Sequence, residues 1–144
     1  MQGPFFLPYG NFWPIHARAN PNLKNRAVRM RTLDNNVIGI DQGDVVLFSD
    51  FEHEGQMWTG EGPRQSRVPV SYSEHYKSAP SVYVSVSMLD MSNNVNTRVD
   101  VQAENITPEG FENVFRTWGD IQVARCRVAC QSIGPVQADD IWEL

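Results

Sequence analysis

Residues 81–89 read SVYVSVSML, and this stretch decides the fold. Val82, Val84, Val86 and Met88 fall on one side, and Ser81, Tyr83, Ser85 and Ser87 on the other. That period of two is the mark of a half-buried antiparallel strand. Outward from it the pattern repeats. Thr97–Asn105 turns Val99, Val101 and Ala103 inward and Arg98, Asp100, Gln102 and Glu104 outward. Asp44–Phe48, Val68–Tyr72, Phe111–Trp118 and Ile121–Ile133 supply four more strands. Turn chemistry separates several of them, at Ser92-Asn93-Asn94, Thr107-Pro108-Glu109-Gly110 and Gly119-Asp120. No segment shows a helical period of 3.6. The expected fold is all-β, a six-stranded antiparallel β-sandwich. Phe51–Ser66 is polar and Gly-rich, and reads as a long loop of the kind that carries function.

The two ends differ from this centre. Phe5, Phe6, Tyr9, Phe12 and Trp13 lie among Pro4, Pro8, Pro14 and Pro21. Prolines exclude a regular helix or central strand, and so many aromatics do not suit a solvated tail. This irregular N-terminal arm reads as a docking segment, for its own domain or a partner assembly. Arg26–Leu33 and Val37–Ile40, joined by Asp34-Asn35-Asn36, suggest a short hairpin. The domain reading is therefore an arm over 1–41, a sandwich over 42–135 and an acidic tail over 136–144. At 144 residues one core suffices.

Charge and cysteine usage narrow the function classes. The net charge of −5 combines an arm that carries Arg18, Lys24, Arg26, Arg29 and Arg31 with a strongly acidic remainder. An acidic domain does not clamp a phosphate backbone, so nucleic acid is not an expected partner. No apolar run is long enough to span a bilayer as a helix, and MQGPFFLPYGNFWP lacks the form of a signal peptide. Membrane insertion is not expected. The chain suits a particle surface, or the cytoplasm before release. Cys126 and Cys130 lie on one face of a strand, too far apart to bridge each other, and read as reduced core thiols. His16, His53 and His75 show no paired ligand spacing, so no metal and no other cofactor is expected.

Motifs for catalysis are missing. There is no nucleophile elbow, zinc-protease helix, phosphate-cradling glycine loop or dinucleotide fingerprint. Asp50, Glu52 and Glu54 faintly echo a calcium loop, but its downstream ligands are lacking, and a solvated acidic loop fits better. Asn105-Ile106-Thr107 has the form of a glycosylation acceptor and reads as a strand-end turn. The chain is not expected to be an enzyme. What stands out is polar and aromatic residues at strand ends and in the long loop: Arg98, Trp118 and Glu61. A guanidinium and a carboxylate bond paired hydroxyls, and a flat ring covers the apolar face of a sugar. The plainer reading of the same residues is a surface ion pair and a strand-end Trp.

The order of these pieces resembles the H-type lectin family, the agglutinin domain of snails and the C-terminal domain of discoidins. The likeness rests on Gly43-Asp44-Val45, Val70-Ser71-Tyr72, Pro80-Ser81-Val82 and Ser87-Met88-Leu89-Asp90. It continues through Arg98, Ile106-Thr107-Pro108-Glu109-Gly110-Phe111 and Thr117-Trp118 to a long closing strand near Gly134. The resemblance implies a homotrimer that binds N-acetylgalactosamine-type sugars between neighbouring subunits, without chemistry. It implies that Arg98 and Trp118 contact the sugar and that Gly60 and Glu61 fall near a Gly-x-Asp contact. Gly119 stands where the family often has a polar ring, Asp120 follows as a substitute contact, and a family tyrosine falls at Ala124. Two functions follow as expectations. One is a trimeric lectin-like module attaching to cell-surface glycans, N-acetylgalactosamine-like or bacterial polysaccharide, on a spike or tail fibre of a phage-like particle. The other is a connector that keeps the trimeric sandwich and has lost its sugar site.

Overall fold

A computed structural model describes residues 30–33, 37–94 and 96–138. The arm aromatics Phe5, Phe6, Tyr9, Phe12 and Trp13 lie outside those residues, as does Arg26–Arg29, half of the hairpin read from sequence. Six strands and one helical turn follow in order: β1 Ile38–Ser49, α1 Gln56–Thr59, β2 Arg64–Ser71, β3 Ser81–Met91, β4 Val99–Glu104, β5 Gly110–Thr117 and β6 Val123–Pro135. They form two antiparallel sheets, β1-β6-β3 and β2-β5-β4. The all-β, six-stranded sandwich expected from the alternation is the fold observed.

β1 begins at Ile38, ahead of position 42, because Ile38 to Gln42 pair with Pro135 to Gln131 of β6. Its far end pairs Ser49 with Arg125. Chain entry at Ile38 and exit at Pro135 therefore lie side by side, at the end of the sheet away from Ser49. Tyr76 adds an isolated bridge to Val136 beside them.

The core has two parts. Leu47, Met57, Phe115, Ile121, Val123, Cys126 and Val128 are buried together toward the Thr117 end of β5. Tyr72, Tyr76 and Phe111 form a smaller aromatic cluster toward the Gly110 end. Tyr72 stands edge-on to Tyr76 at 4.9 Å, and the Tyr76 hydroxyl reaches Ser132 Oγ at 2.8 Å. Val99 and Val101 pack on the first cluster and Ala103 on the second, as the β4 alternation requires. The thiols are free, and burial pushes Cys126 up to about 11 and raises Cys130.

The phase of β3 departs from simple alternation. Its register slips between Val86 and Met88, where a bulge meets β6. Val84 stays against the core, but Leu89 and Met91 take over the inward role expected of Met88, and Val86 is partly exposed. One inserted residue exchanges the faces of everything after it. The outer face of this sheet exposes Ile40, Val46 and Tyr83. On the other sheet, Arg67 and Arg116 form ion pairs with Glu104, Glu112 and Asp100, and Val114 beneath them is fully buried.

Candidate functional site

Strand register brings the residues selected from sequence to one end of the β2-β5-β4 sheet. Val99 pairs with Thr117, so Arg98 and Trp118 leave adjacent strand ends together. Arg64 pairs with Thr117 from the other side, which sets Gly60, Glu61 and Gly62 beside the 118–121 turn. The Gly62 N–H donates to the Gly119 carbonyl at 2.9 Å. The Thr117 hydroxyl donates to the Arg98 carbonyl at 2.7 Å, holding the start of β4 against the end of β5.

Arg98 is lightly engaged. Its Nη1 meets Asp120 Oδ1 at 3.4 Å, with side-chain exposures of 28% and 67%. Its Nε and Nη2 donate to nothing among the described residues. Gly119 makes this posture possible. Its φ of +77° suits glycine, and an added Cβ would run into Arg98 Nη1. The guanidinium of Arg98 thus takes the space that a side chain at 119 would need. Trp118 is half-buried beside it, and Glu61 is exposed.

Ala124 has a local reason too. It is buried, and its carbonyl accepts the N–H groups of Asp50 and Phe51 at 2.8 and 3.3 Å. A small side chain lets the start of the 50–63 connection lie against β6.

Sequence reading missed Arg64, which organises the whole end. It is 8% exposed. Its Nε donates to the Gly62 carbonyl, Nη1 to Gln56 and Met57, and Nη2 to Gly119 and Ile121, the last at 2.6 Å. Burial lowers its pKa from the ordinary arginine value, opposed by the negative charge of Glu61. One guanidinium therefore ties the α1 turn to the 118–121 turn.

The long loop is correspondingly more ordered than its composition suggested. It contains α1 and runs directly into β2 at Arg64. Met57 is buried in the core, and the Asp50 carboxylate accepts the Met57 N–H at 2.9 Å. Asp50 is thus occupied locally. Among the described residues no group of three or more His, Cys, Asp or Glu side chains could hold a metal ion. No helix among the described residues is long and apolar enough to cross a membrane. Thr107 closes the turn read from Asn105-Ile106-Thr107: its hydroxyl accepts the Gly110 N–H at 3.2 Å. A separate cavity of about 150 Å³ lies by β1 and β2, lined by Asp41, Val45, Val70, Tyr72 and Cys130, and includes none of Gly60, Glu61, Arg98, Trp118, Gly119 and Asp120.

Residues 67–129 match the family described as the H-type lectin domain. Those residues form an H-type lectin domain. The match spans most of β2 through much of β6, so this H-type lectin domain includes Arg98, Trp118, Gly119 and Asp120 but begins after Gly60 and Glu61. The chain is 50% identical over 107 residues to a protein of Fuscovulum blasticum named "ATP synthase subunits region ORF 7", covering 74% of this chain and 93% of that one. It is 37% identical over 70 residues to discoidin-1 of Dictyostelium discoideum, covering 48% of this chain but only 28% of the discoidin. Among solved structures, discoidin II of Dictyostelium discoideum superposes with a TM-score of 0.62 at 22% identity, covering 74% of this chain and 40% of that one. That likeness shows the fold, a discoidin-like β-sandwich.

Proposed function

We propose that this H-type lectin domain is a non-catalytic carbohydrate-binding module that works as a homotrimer attaching to cell-surface glycans. Arg98, Trp118 and Asp120 are the sugar contacts, with Gly119 leaving room for the guanidinium and Gly60 and Glu61 forming the rim. The carrying observation is the condition of Arg98, which is partly exposed with one ionic contact and unused donors among the described residues. Such a fork suits paired sugar hydroxyls, and the adjacent Trp118 offers a flat apolar face. Local charges of both signs favour a neutral sugar of the N-acetylgalactosamine type or a neutral stretch of bacterial polysaccharide. The exposed Ile40, Val46 and Tyr83 on the outer β1-β6-β3 face support contact between copies there. Three weak sites on one trimer gain avidity without new contacts. The aromatic arm, with Phe5, Phe6, Tyr9, Phe12 and Trp13, anchors the module to a larger assembly, such as a spike or fibre of a phage-like particle.

A second reading is a trimeric connector without sugar binding, favoured by the small residues Gly119 and Ala124 at two contact positions of the family. Sedimentation gives the oligomeric state, and a glycan array carrying N-acetylgalactosamine-terminated and bacterial glycans separates the two. The expected result is binding competed by free sugar and abolished by Arg98→Ala, with a melting temperature little changed. An exposed ion pair contributes only about 0–1 kcal/mol. A folded trimer that binds no glycan would favour the connector, and a monomer would sink the trimer claim.

A further inference from the structure

The 50–63 connection displays an aromatic pair that the Arg98 site does not use. Phe51 and Trp58 meet edge to face, with ring centroids 5.0 Å apart and planes at 84°. Phe51 is 57% exposed, and Trp58 is half-buried. An exposed ring on a mobile loop would mean little. This loop is pinned at several points. The Asp50 carbonyl accepts the Gly55 N–H at 2.9 Å, and its carboxylate accepts that of Met57. Met57 is anchored in the core, Arg64 bonds the Gln56 and Met57 carbonyls, and the Thr59 hydroxyl donates to Glu54 and Gly55 carbonyls. The backbone is fixed while the ring faces water. A fixed, exposed aromatic surface is a binding feature.

Its surroundings indicate what it takes. Glu52, His53, Glu54 and Gln56, which lie between the two rings along the chain, are all exposed, and the carboxylates offer acceptors to hydroxyl donors. No Lys or Arg lies between Phe51 and Pro63. Aromatic faces bordered by acceptors match the C–H faces and hydroxyls of a sugar ring. The Arg64 guanidinium also bonds Gly119 and Ile121, so the turn bearing Trp58 lies within one guanidinium's reach of the turn bearing Trp118. We propose that Phe51 and Trp58 form a second sugar-stacking subsite, which takes a further ring of the glycan held at Arg98. The proposal rests on the glycan-binding reading above. It makes the domain a reader of short oligosaccharides rather than of single terminal sugars.

The test titrates the full chain with N-acetylgalactosamine and with short oligosaccharides ending in it. Phe51→Ala should weaken oligosaccharide binding about tenfold and leave the monosaccharide unchanged, whereas Arg98→Ala loses both. Phe51→Leu, which keeps apolar bulk without a flat ring, should lose as much as Phe51→Ala, and Phe51→Tyr should retain binding. Oligosaccharide affinity unchanged in Phe51→Ala, or restored in Phe51→Leu, overturns the subsite while leaving the Arg98 reading intact. A wild-type chain that binds no sugar of either length overturns both. Loss of a protein partner in Phe51→Ala, with sugar affinities unmoved, would assign the rings to protein contact and reject the subsite.

Discussion

Two arginines at the same end of the sandwich have opposite lives. Arg64 is 8% exposed and uses its guanidinium on five backbone carbonyls. Arg98, on the neighbouring turn, has one 3.4 Å contact with an exposed carboxylate. Their residue type is the same, and their surroundings separate them. A guanidinium whose donors are all satisfied inside the protein builds structure. One that keeps donors toward solvent can bond something else. The ion pairs around Glu104 fall between these extremes, since their partners are charged but the side chains are only partly buried.

The comparison can be broken most directly at Arg64. Arg64→Met keeps much of the stem and removes the fork, leaving the Met57 and Ile121 carbonyls buried without their partner. The expected loss is about 3 kcal/mol or more in urea unfolding, with both turns loosening together. A loss under about 1 kcal/mol would show that the clamp is dispensable. Gly119→Ala comes next. A Cβ at φ +77° costs about 1–2 kcal/mol and also displaces Arg98. Melting should fall modestly while sugar affinity falls sharply; equal affinity in the variant would mean that the posture of Arg98 does not matter.

The smallest effect belongs to Glu104. The hydrogen bond from Arg116, and then that from Arg67, hold its carboxyl below the ordinary glutamate range, against the opposing effect of burial. A depressed folded value means a stabilising contribution that is complete above the unfolded pKa and lost as pH falls through the folded one. Glu104→Gln should therefore cost little, about 0–1 kcal/mol near neutral pH, and lessen the acid loss measured by unfolding. An unchanged acid profile would remove Glu104 as its source.

How much of this was legible depends on how far each cause lies along the chain. Period-two alternation in Ser81–Leu89 and Thr97–Asn105 is local, and it gave the strands and the sandwich directly. The slip between Val86 and Met88 is not local, because it is set by pairing with Arg127 and Val128 of β6. Arg98 and Trp118 could be placed at strand ends, and the Thr107–Gly110 turn between their strands brings them level. Arg64 could not be distinguished from a loop charge, since two of its acceptors lie 55 and 57 residues away. Phe51 and Trp58 carried a faint signal, two large aromatics in an otherwise polar loop. Their edge-to-face packing depends on an α1 turn too short to show a helical period.

The side-by-side positions of Ile38 and Pro135 have a mechanical meaning. Arg98 lies at the Thr117 end of the sandwich, away from the point where the chain enters β1. A pull between the Arg98 end and residues ahead of Ile38 therefore runs along the strands. The hydrogen bonds joining β1 to β6 lie across the strand axes, so that load shears many of them at once instead of unzipping them singly. Tugged in that direction the domain resists as a unit, whereas a force separating Ile38 from Pro135 would peel β1 away one pair at a time.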